Sequence, residues 1–377
     1  MLFMVLLIIH YHGLVSSEVA LSIHHAYAMI FLVFTQFFMA FLLTMFPRFL
    51  SVPLVPQALY MRVFLLLNAS SIVVAVSLYV SQVLVVAGML GVLTAFLMAC
   101  RILLEMNRQS SVVNRYDTNW IFVALGMGVL SQLLFICLLL GVGGYDLGNF
   151  AVNTGFFLYL FMIVLILSQK VIPFFTEGKI KGYQSNKSRY FLEPIFGLLM
   201  CKVVLQPVGL ATYGFVVDVL LFAIILREIV KWQLPFFKVE AILWVLYLAL
   251  LWAPLGFLIF FLDGLNQYLS GGVTINFEKS HIHALALGYF TTIAVGFGSR
   301  IILGHSGRKP VADRYTIGLF GLVQVLVVVR IFGGLSVNLD ASWYVGLMLI
   351  SATLWLVLFM LWSARYVKML FERYPYE

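Results

Sequence analysis

The sequence predicts an all-α protein, a polytopic membrane helix bundle of about twelve transmembrane helices forming one domain over residues 1–377. Three observations predict it. Hydrophobic residues make up 63% of the chain and charged ones 10%, against about 25% charged in soluble domains, and the mean hydropathy is +1.07. Polar residues this scarce cannot cover a water-facing surface. The apolar runs are continuous and about 20 residues long, the length a helix needs to cross hydrocarbon, and the alternating pattern of a β-barrel is missing. Finally, the basic residues gather after every second run.

The first run, Met1 to about Leu14, is short. It lacks the basic start and small-residue cleavage site of a signal peptide, and it is kept as a span because removing it would put the basic loops outside. The second run is about His24 to Phe46, stopped by Pro47-Arg48. The third and fourth are about Ala58 to Val80 and Gln82 to Leu104. A connection with Arg108, Arg115 and Asp117 leads to the fifth, about Asn119 to Val142, and a tight turn leads to the sixth, about Phe150 to Phe175. Pro173 is expected to end that span.

A basic loop, Glu177 to Arg189, divides the chain near its middle. The seventh and eighth spans are about Tyr190 to Gln206 and Tyr213 to Val230. The ninth to twelfth are about Val239 to Leu262, Ser280 to Leu303, Tyr315 to Phe332 and Ser342 to Val367. All Lys and Arg except Lys202, Lys279 and Arg330 follow even-numbered spans. The positive-inside rule therefore places both termini in the cytoplasm. A net charge of +8 distributed this way is a topology signal and gives no reason to expect a nucleic-acid partner. The partner it implies is lipid.

Cys100, Cys137 and Cys201 are isolated within or at the ends of spans. They make neither a disulfide framework nor a CxxC metal site and read as small buried hydrophobes. Six of the seven histidines fall on the outer side: His10 and His12 at the exit of span one, His24 and His25 opening span two, His281 and His283 opening span ten. Only His305 is cytoplasmic.

Imidazole is the commonest biological metal ligand. Residues two apart on a helix diverge by about 200°, so His281 and His283 do not share a metal; His24 and His25 diverge by about 100°. A histidine from each of two helices, His25 and His283, gripping a haem from both sides is the leading reading. Copper held by the remaining histidines and a methionine such as Met29 is the second. Tyr27, near that site, reads either as an interfacial belt aromatic or as a proton and electron partner. Thr35, Gln36 and Thr44 are expected to hydrogen-bond between helices. Arg300 either snorkels, as Arg330 does, or pairs with a carboxylate or bound anion. No charged pair is expected mid-span. The loop Gly304-His305-Ser306-Gly307-Arg308-Lys309-Pro310 has glycines for a tight turn but no P-loop pattern.

His283-Ala284-Leu285 with Gly288, then Gly298-Ser299-Arg300, then Leu303-Gly304-His305-Ser306-Gly307-Arg308 resembles the closing signature of the NnrS family. Phe41-Leu42-Leu43-Thr44 with Pro47, and Val171-Ile172-Pro173-Phe174-Phe175-Thr176, are similar to two further motifs of that family. The resemblance implies a bacterial inner-membrane protein holding haem and copper, engaged in the nitric oxide response and relief of nitrosative stress. His283 and His305 match family positions. Where the family reads Trp-His-x-His-Glu-Met, this chain reads His24-His25-Ala26-Tyr27-Ala28-Met29. His25 carries over, but the second histidine is Tyr27 and the glutamate Ala28. A family histidine in the ninth span is Tyr247 here. Fewer imidazoles remain for a second metal, so haem is expected ahead of copper.

The residues thus point to a haem protein that binds or processes nitric oxide, with cofactor-binding candidates His25, His283, Tyr27, Arg300 and His305 and metal-ligand candidates His25, His283, His24 and His281. Metal chemistry would carry any reaction, and a respiratory-chain redox partner would supply its electrons. Two rival readings are a transporter, which the span number suits although ionisable midplane groups are scarce, and an assembly factor that hands cofactor to a respiratory complex.

Overall fold

A backbone without water to bond must satisfy itself, and within hydrocarbon only helices or closed barrels do so. The computed structural model describes residues 21–78, 80–271 and 275–371 and contains no strand among them. The first expected span, with His10 and His12, lies outside the described residues. Each later span has its helix: α1 Ser22–Leu50, α2 Gln57–Ser77, α3 Gln82–Gln109, α4 Tyr116–Leu139, α5 Asp146–Glu177, α6 Leu192–Leu205, α7 Gly214–Lys231, α8 Ala241–Ser270, α9 Ser280–His305, α10 Arg314–Leu335 and α11 Ser342–Leu370. Nine of these described helices are long and apolar enough to cross a membrane, and the chain is a multi-pass membrane protein. The other two fall short. Helix α6 has 14 residues, about 21 Å of rise, and α7 carries Asp218, Arg227, Glu228 and Lys231.

Two compact units meet in sequence within α5, one ending at Ile166 and the other beginning at Leu167. In the first unit α2 pairs with α3, α3 with α4, and α4 with the middle of α5. In the second, α7 pairs with α8, α8 with α9, and α10 with α11.

Prolines do not end the helices expected to stop at them. Helix α1 runs through Pro47 to Leu50, where Ser51 turns left-handed at φ 52° and its N–H returns to the Pro47 carbonyl. Helix α5 runs through Pro173 to Glu177. Proline has no N–H for the carbonyl four residues back, here Gln169. The Lys187 ammonium donates to that carbonyl instead, at 3.3 Å. The loop carrying Lys187 is also fastened through Tyr183, whose hydroxyl donates to the Trp232 carbonyl at 2.7 Å. Burial first, then the neighbouring Tyr247 and Glu177, push the Tyr183 phenol up to about 12, so it stays a donor.

Helices α1, α5 and α9 are the most deeply buried of the nine. Each contains a stretch wound as π-helix: Ala28–Phe34, Thr154–Phe161 and Ala284–Thr291. A π turn leaves carbonyls aimed at the fifth residue on, and such turns recur at functional sites. Threonine hydroxyls bond these carbonyls at the same five-residue spacing. Thr35 donates to Ile30 at 2.8 Å, Thr291 to Ala286 at 2.9 Å and Thr292 to Leu287 at 3.3 Å.

Thr35 also meets the Tyr159 hydroxyl at 2.8 Å, and Gln36 donates to Ser71 at 3.3 Å, so both bond between helices as expected. Thr44 instead donates to Ala40 of its own helix. Tyr159 is the hub of the first unit, stacked on Phe31 at 5.8 Å with Phe96 edge-on at 5.4 Å. Replacing Thr35→Val strands the buried Tyr159 hydroxyl and is expected to cost about 1–3 kcal/mol. Thermal unfolding in detergent of T35V, Y159F and the double variant checks this. The double should cost less than the two singles added together.

Candidate functional site

The N-terminal turns of α9 and α1 carry the histidines, and each leads straight into a π stretch. Helix α9 is approached through two left-handed residues, Glu278 at φ 35° and Lys279 at φ 58°, conformations that cost a non-glycine residue energy. They set the Lys279 carbonyl one turn before His283. That carbonyl accepts the His283 backbone N–H at 3.1 Å and faces its ring Nδ1 at 2.9 Å. A carbonyl oxygen only accepts, so Nδ1 bears the proton and Nε2 the lone pair. Metal-bound histidines are held in this way, with one ring nitrogen tied to a carbonyl or carboxylate and the other ligating.

His281 points elsewhere, as the two-residue spacing requires. Its ring packs 4.0 Å from that of Phe260 on α8, and its Nδ1 lies 3.3 Å from Asp263 Oδ2. Gln267 Nε2 holds the other carboxylate oxygen at 3.0 Å. The Lys202 ammonium also stands over Phe260, 4.0 Å from the ring centroid. It also donates to both oxygens of Asp218, at 2.6 and 2.9 Å. Lys202 stands in the last turn of α6, at the helix exit as the sequence reading has it, and α7 turns Asp218 toward it.

Close packing fixes α9 against α8. A β-carbon on Gly288 would meet the Trp252 side chain at 2.5 Å, and Trp252 is anchored through its indole N–H to Gln324 at 2.9 Å. Arg330 on α10 neighbours Ile331, whose carbonyl accepts from Ser280 at 3.1 Å. Only 8% of Arg330 is exposed, and its Nη1 has no hydrogen-bond partner. The snorkelling expected of it is not seen, because the guanidinium is enclosed by protein.

In the first unit His24 is buried and His25 half-buried, and the first turn of α1 packs on the start of α5. His24 Nε2 has no hydrogen-bond partner, nor do the Tyr27 hydroxyl, both amide atoms of Gln132 and the Thr154 hydroxyl, all buried. Tyr27 is fully enclosed, with its ring 5.2 Å from Phe31 and 5.4 Å from Phe135, one turn beyond Gln132. This overturns its reading as a belt aromatic, which would hold its hydroxyl among headgroups. Buried polar atoms are nearly always satisfied. Several unsatisfied ones around one π stretch are what a polar guest would complete.

The remaining candidates stand apart. His305 ends α9, about 33 Å of helical rise from His283. Arg300, near it, lies 3.9 Å above the Phe175 ring with Nη1 buried and without a hydrogen-bond partner. The Tyr247 hydroxyl meets Thr176 at 2.6 Å. Cys201 is exposed, against expectation, and all three cysteines are free thiols. Among the described residues, no three His, Cys, Asp or Glu side chains gather closely enough to hold a metal ion.

The sequence model of the family described as NnrS protein matches residues 1–373. The chain belongs to the NnrS family. Comparison with curated protein sequences returns no match. Within this NnrS-family chain, His283, Gly288, Ser299 and Arg300 of the closing signature all lie on α9, the helix that carries the tethered imidazole. Gln132, Thr154 and Asp263 escaped sequence reasoning, since each lies in an apolar run with no motif around it.

The Lys202–Asp218 pair is little exposed, at 12% and 4% of the two side chains. Lys202→Met leaves a buried carboxylate alone and is expected to destabilise by about 3–5 kcal/mol, whereas K202M/D218L should be close to wild type. Unfolding midpoints of the two variants in detergent decide it. Equal losses in both would mean the ion pair itself supplies the stability.

Proposed function

We propose that this chain is a haem protein of the bacterial inner membrane, with both termini cytoplasmic, that handles nitric oxide during nitrosative stress. His283 and His25 are the candidate axial-ligand residues, and His24 and His281 the further candidate metal ligands. Membership of the NnrS family supports the reading. The observation that carries it is the His283 ring, tied through Nδ1–H to the Lys279 carbonyl so that Nε2 presents its lone pair to a metal.

The residues present fit such a group. His24 Nε2 is a buried nitrogen with no hydrogen-bond partner, and the Asp263 carboxylate stands behind His281 as carboxylates stand behind metal-bound imidazoles. Arg330 Nη1 is a buried donor beside α9 and would take a carboxylate of the bound group. When bound, haem supplies an iron that takes a small neutral gas and exchanges electrons with a respiratory-chain partner. The chain's own part is to orient the imidazoles, to keep water out with the apolar residues that line α1 and α9, and to hold Tyr27 as a proton donor near His24. Copper would fall to His24 with Met29, or to His281.

Expressed in a haem-replete host, the purified protein should show a Soret band that shifts on adding nitric oxide. His283→Ala should abolish it or cut it at least about tenfold, and H25A should weaken it. A colourless wild-type preparation would falsify the reading.

One observation favours transport instead. Lys202, Asp218, Asp263 and His281 form a chain of ionisable groups between apolar helices, as ion-coupled carriers possess. Uptake of a labelled solute by proteoliposomes of colourless protein, lost in D263N, would establish that reading.

A further inference from the structure

Where α1, α4 and α5 meet in the first unit, a group of polar side chains is left unused by the bonds of the fold. Gly155 marks the crossing: a β-carbon there would meet Ser131 Oγ of α4 at 2.5 Å and Ile30 Cδ1 of α1 at 3.4 Å. Ser131 is satisfied, since its hydroxyl donates to the Ala151 carbonyl at 2.8 Å. Its neighbours along the seam are not. The Thr154 hydroxyl beside Gly155, both amide atoms of Gln132 beside Ser131, and the Tyr27 hydroxyl one turn before Ile30 have no hydrogen-bond partner among the described residues. All three residues are fully buried.

Ring contacts fix their depth. Phe135, three residues after Gln132 and so on its face of α4, meets Tyr27 edge-on at 5.4 Å and Phe31 at 6.2 Å. Phe31 in turn is stacked on Tyr159 at 5.8 Å. The three side chains therefore lie within about one helical turn of each other in depth, with aromatic rings on their inner side. Toward the start of α1 and α5 the unsatisfied atoms continue with His24 Nε2 and with Nδ2 of Asn149, a half-buried residue. What completes these groups follows from their chemistry. A carboxamide offers two donors and an acceptor, and a hydroxyl does both, so the partner must donate and accept. Tyr27, Gln132 and Thr154 carry no charge with which to neutralise an ion. The seam is narrow at Gly155, so the partner is small. Water meets all three conditions, and a buried water makes about three hydrogen bonds to groups of this kind.

We propose that Tyr27, Gln132 and Thr154 bind a cluster of internal water that continues past His24 toward Asn149 and stops at the aromatic rings. Such a cluster carries protons inward from one end of the bundle without passing them across. Its use rests on the proposed role of Tyr27 as a proton donor. After the phenol has given up its proton, its oxygen takes one from the neighbouring water, and that water takes one from the next toward the start of α5.

Hydroxyl-radical footprinting tests the water itself. X-rays split bound water in place, so a buried tyrosine beside water is oxidised while one bonded only to protein is spared. Full-length protein in detergent is irradiated, and oxidation is read residue by residue by mass spectrometry. Tyr159, whose hydroxyl meets Thr35, and Tyr247, whose hydroxyl meets Thr176, are as deeply buried as Tyr27 and serve as internal references. Tyr27 is expected to be oxidised above both, and Q132L/T154V should bring it down to their level. The proposal is overturned if Tyr27 is oxidised no more than the references, or if the variant leaves its oxidation unchanged. Should the variant fail to fold, the comparison of Tyr27 with Tyr159 in the unmodified protein decides. Haem is read separately from the Soret band. A coloured protein with Tyr27 spared overturns the water and keeps the haem, and a colourless one with Tyr27 oxidised does the reverse.

Discussion

In hydrocarbon a polar group has only the protein to bond to, and every local feature of this chain answers to that constraint. It makes the backbone helical, and it also governs the exceptions. Where Pro173 removes a donor, Lys187 reaches back to the Gln169 carbonyl. Where α1 and α9 loosen into π turns, threonines five residues on bond the displaced carbonyls. Where α7 brings a carboxylate inward, α6 supplies the ammonium that holds it. Because the compensation is so regular, the groups left without it carry information. Among the described residues they include His24, Tyr27, Gln132 and Thr154 in one unit and His281, Arg300 and Arg330 in the other.

The π stretches join that constraint to function. An α-helix buried on every side has no freedom to adjust the direction of a side chain at its end, because its neighbours lock its rotation. A single wide turn changes the rotation of everything before it relative to everything after it. In α1 and α9 the turn begins at residue 28 and residue 284, just after His25 and His283. The histidine-bearing first turn is thereby set by its own bonds, such as His283 to Lys279, while the body of the helix is set by close packing such as that of Gly288 on Trp252.

How much of this the sequence disclosed depends on whether the signal was a run or a single residue. Nine of the described helices follow from apolar length, while α6 and α7 show only as shorter or more charged runs. Histidine pairs at the starts of spans were legible because imidazole is rare in such a setting. Termini were misjudged where a distant side chain repaired the break: Lys187 is fourteen positions after Pro173, and no local pattern ties them. Lys202 was legible as a residue of a helix end, but its pairing with Asp218, sixteen positions on in another run, was not. The π turns left no trace at all, since they alter winding without altering composition. Tyr27 was misplaced for a related reason. An aromatic one turn into a span fits a belt as well as a core, and only Phe31 and Phe135 closing over it decide between them.

The two histidines of α9 illustrate how little separates a structural imidazole from a ligating one. The His283 Nδ1 is directed at an oxygen and leaves the lone pair on Nε2, whereas the His281 Nδ1 lies 3.3 Å from Asp263 without a hydrogen bond to it. His283 is held by a neutral carbonyl of its own helix turn, an acceptor that cannot move without unwinding that turn. His281 is held by packing on Phe260, with the Asp263 carboxylate of α8 beside it and fixed in turn by Gln267. A metal bound at Nε2 of His281 would therefore be tuned by the arrangement of α8, and through Phe260 by Lys202 and Asp218. One bound at His283 would be tuned by α9 alone.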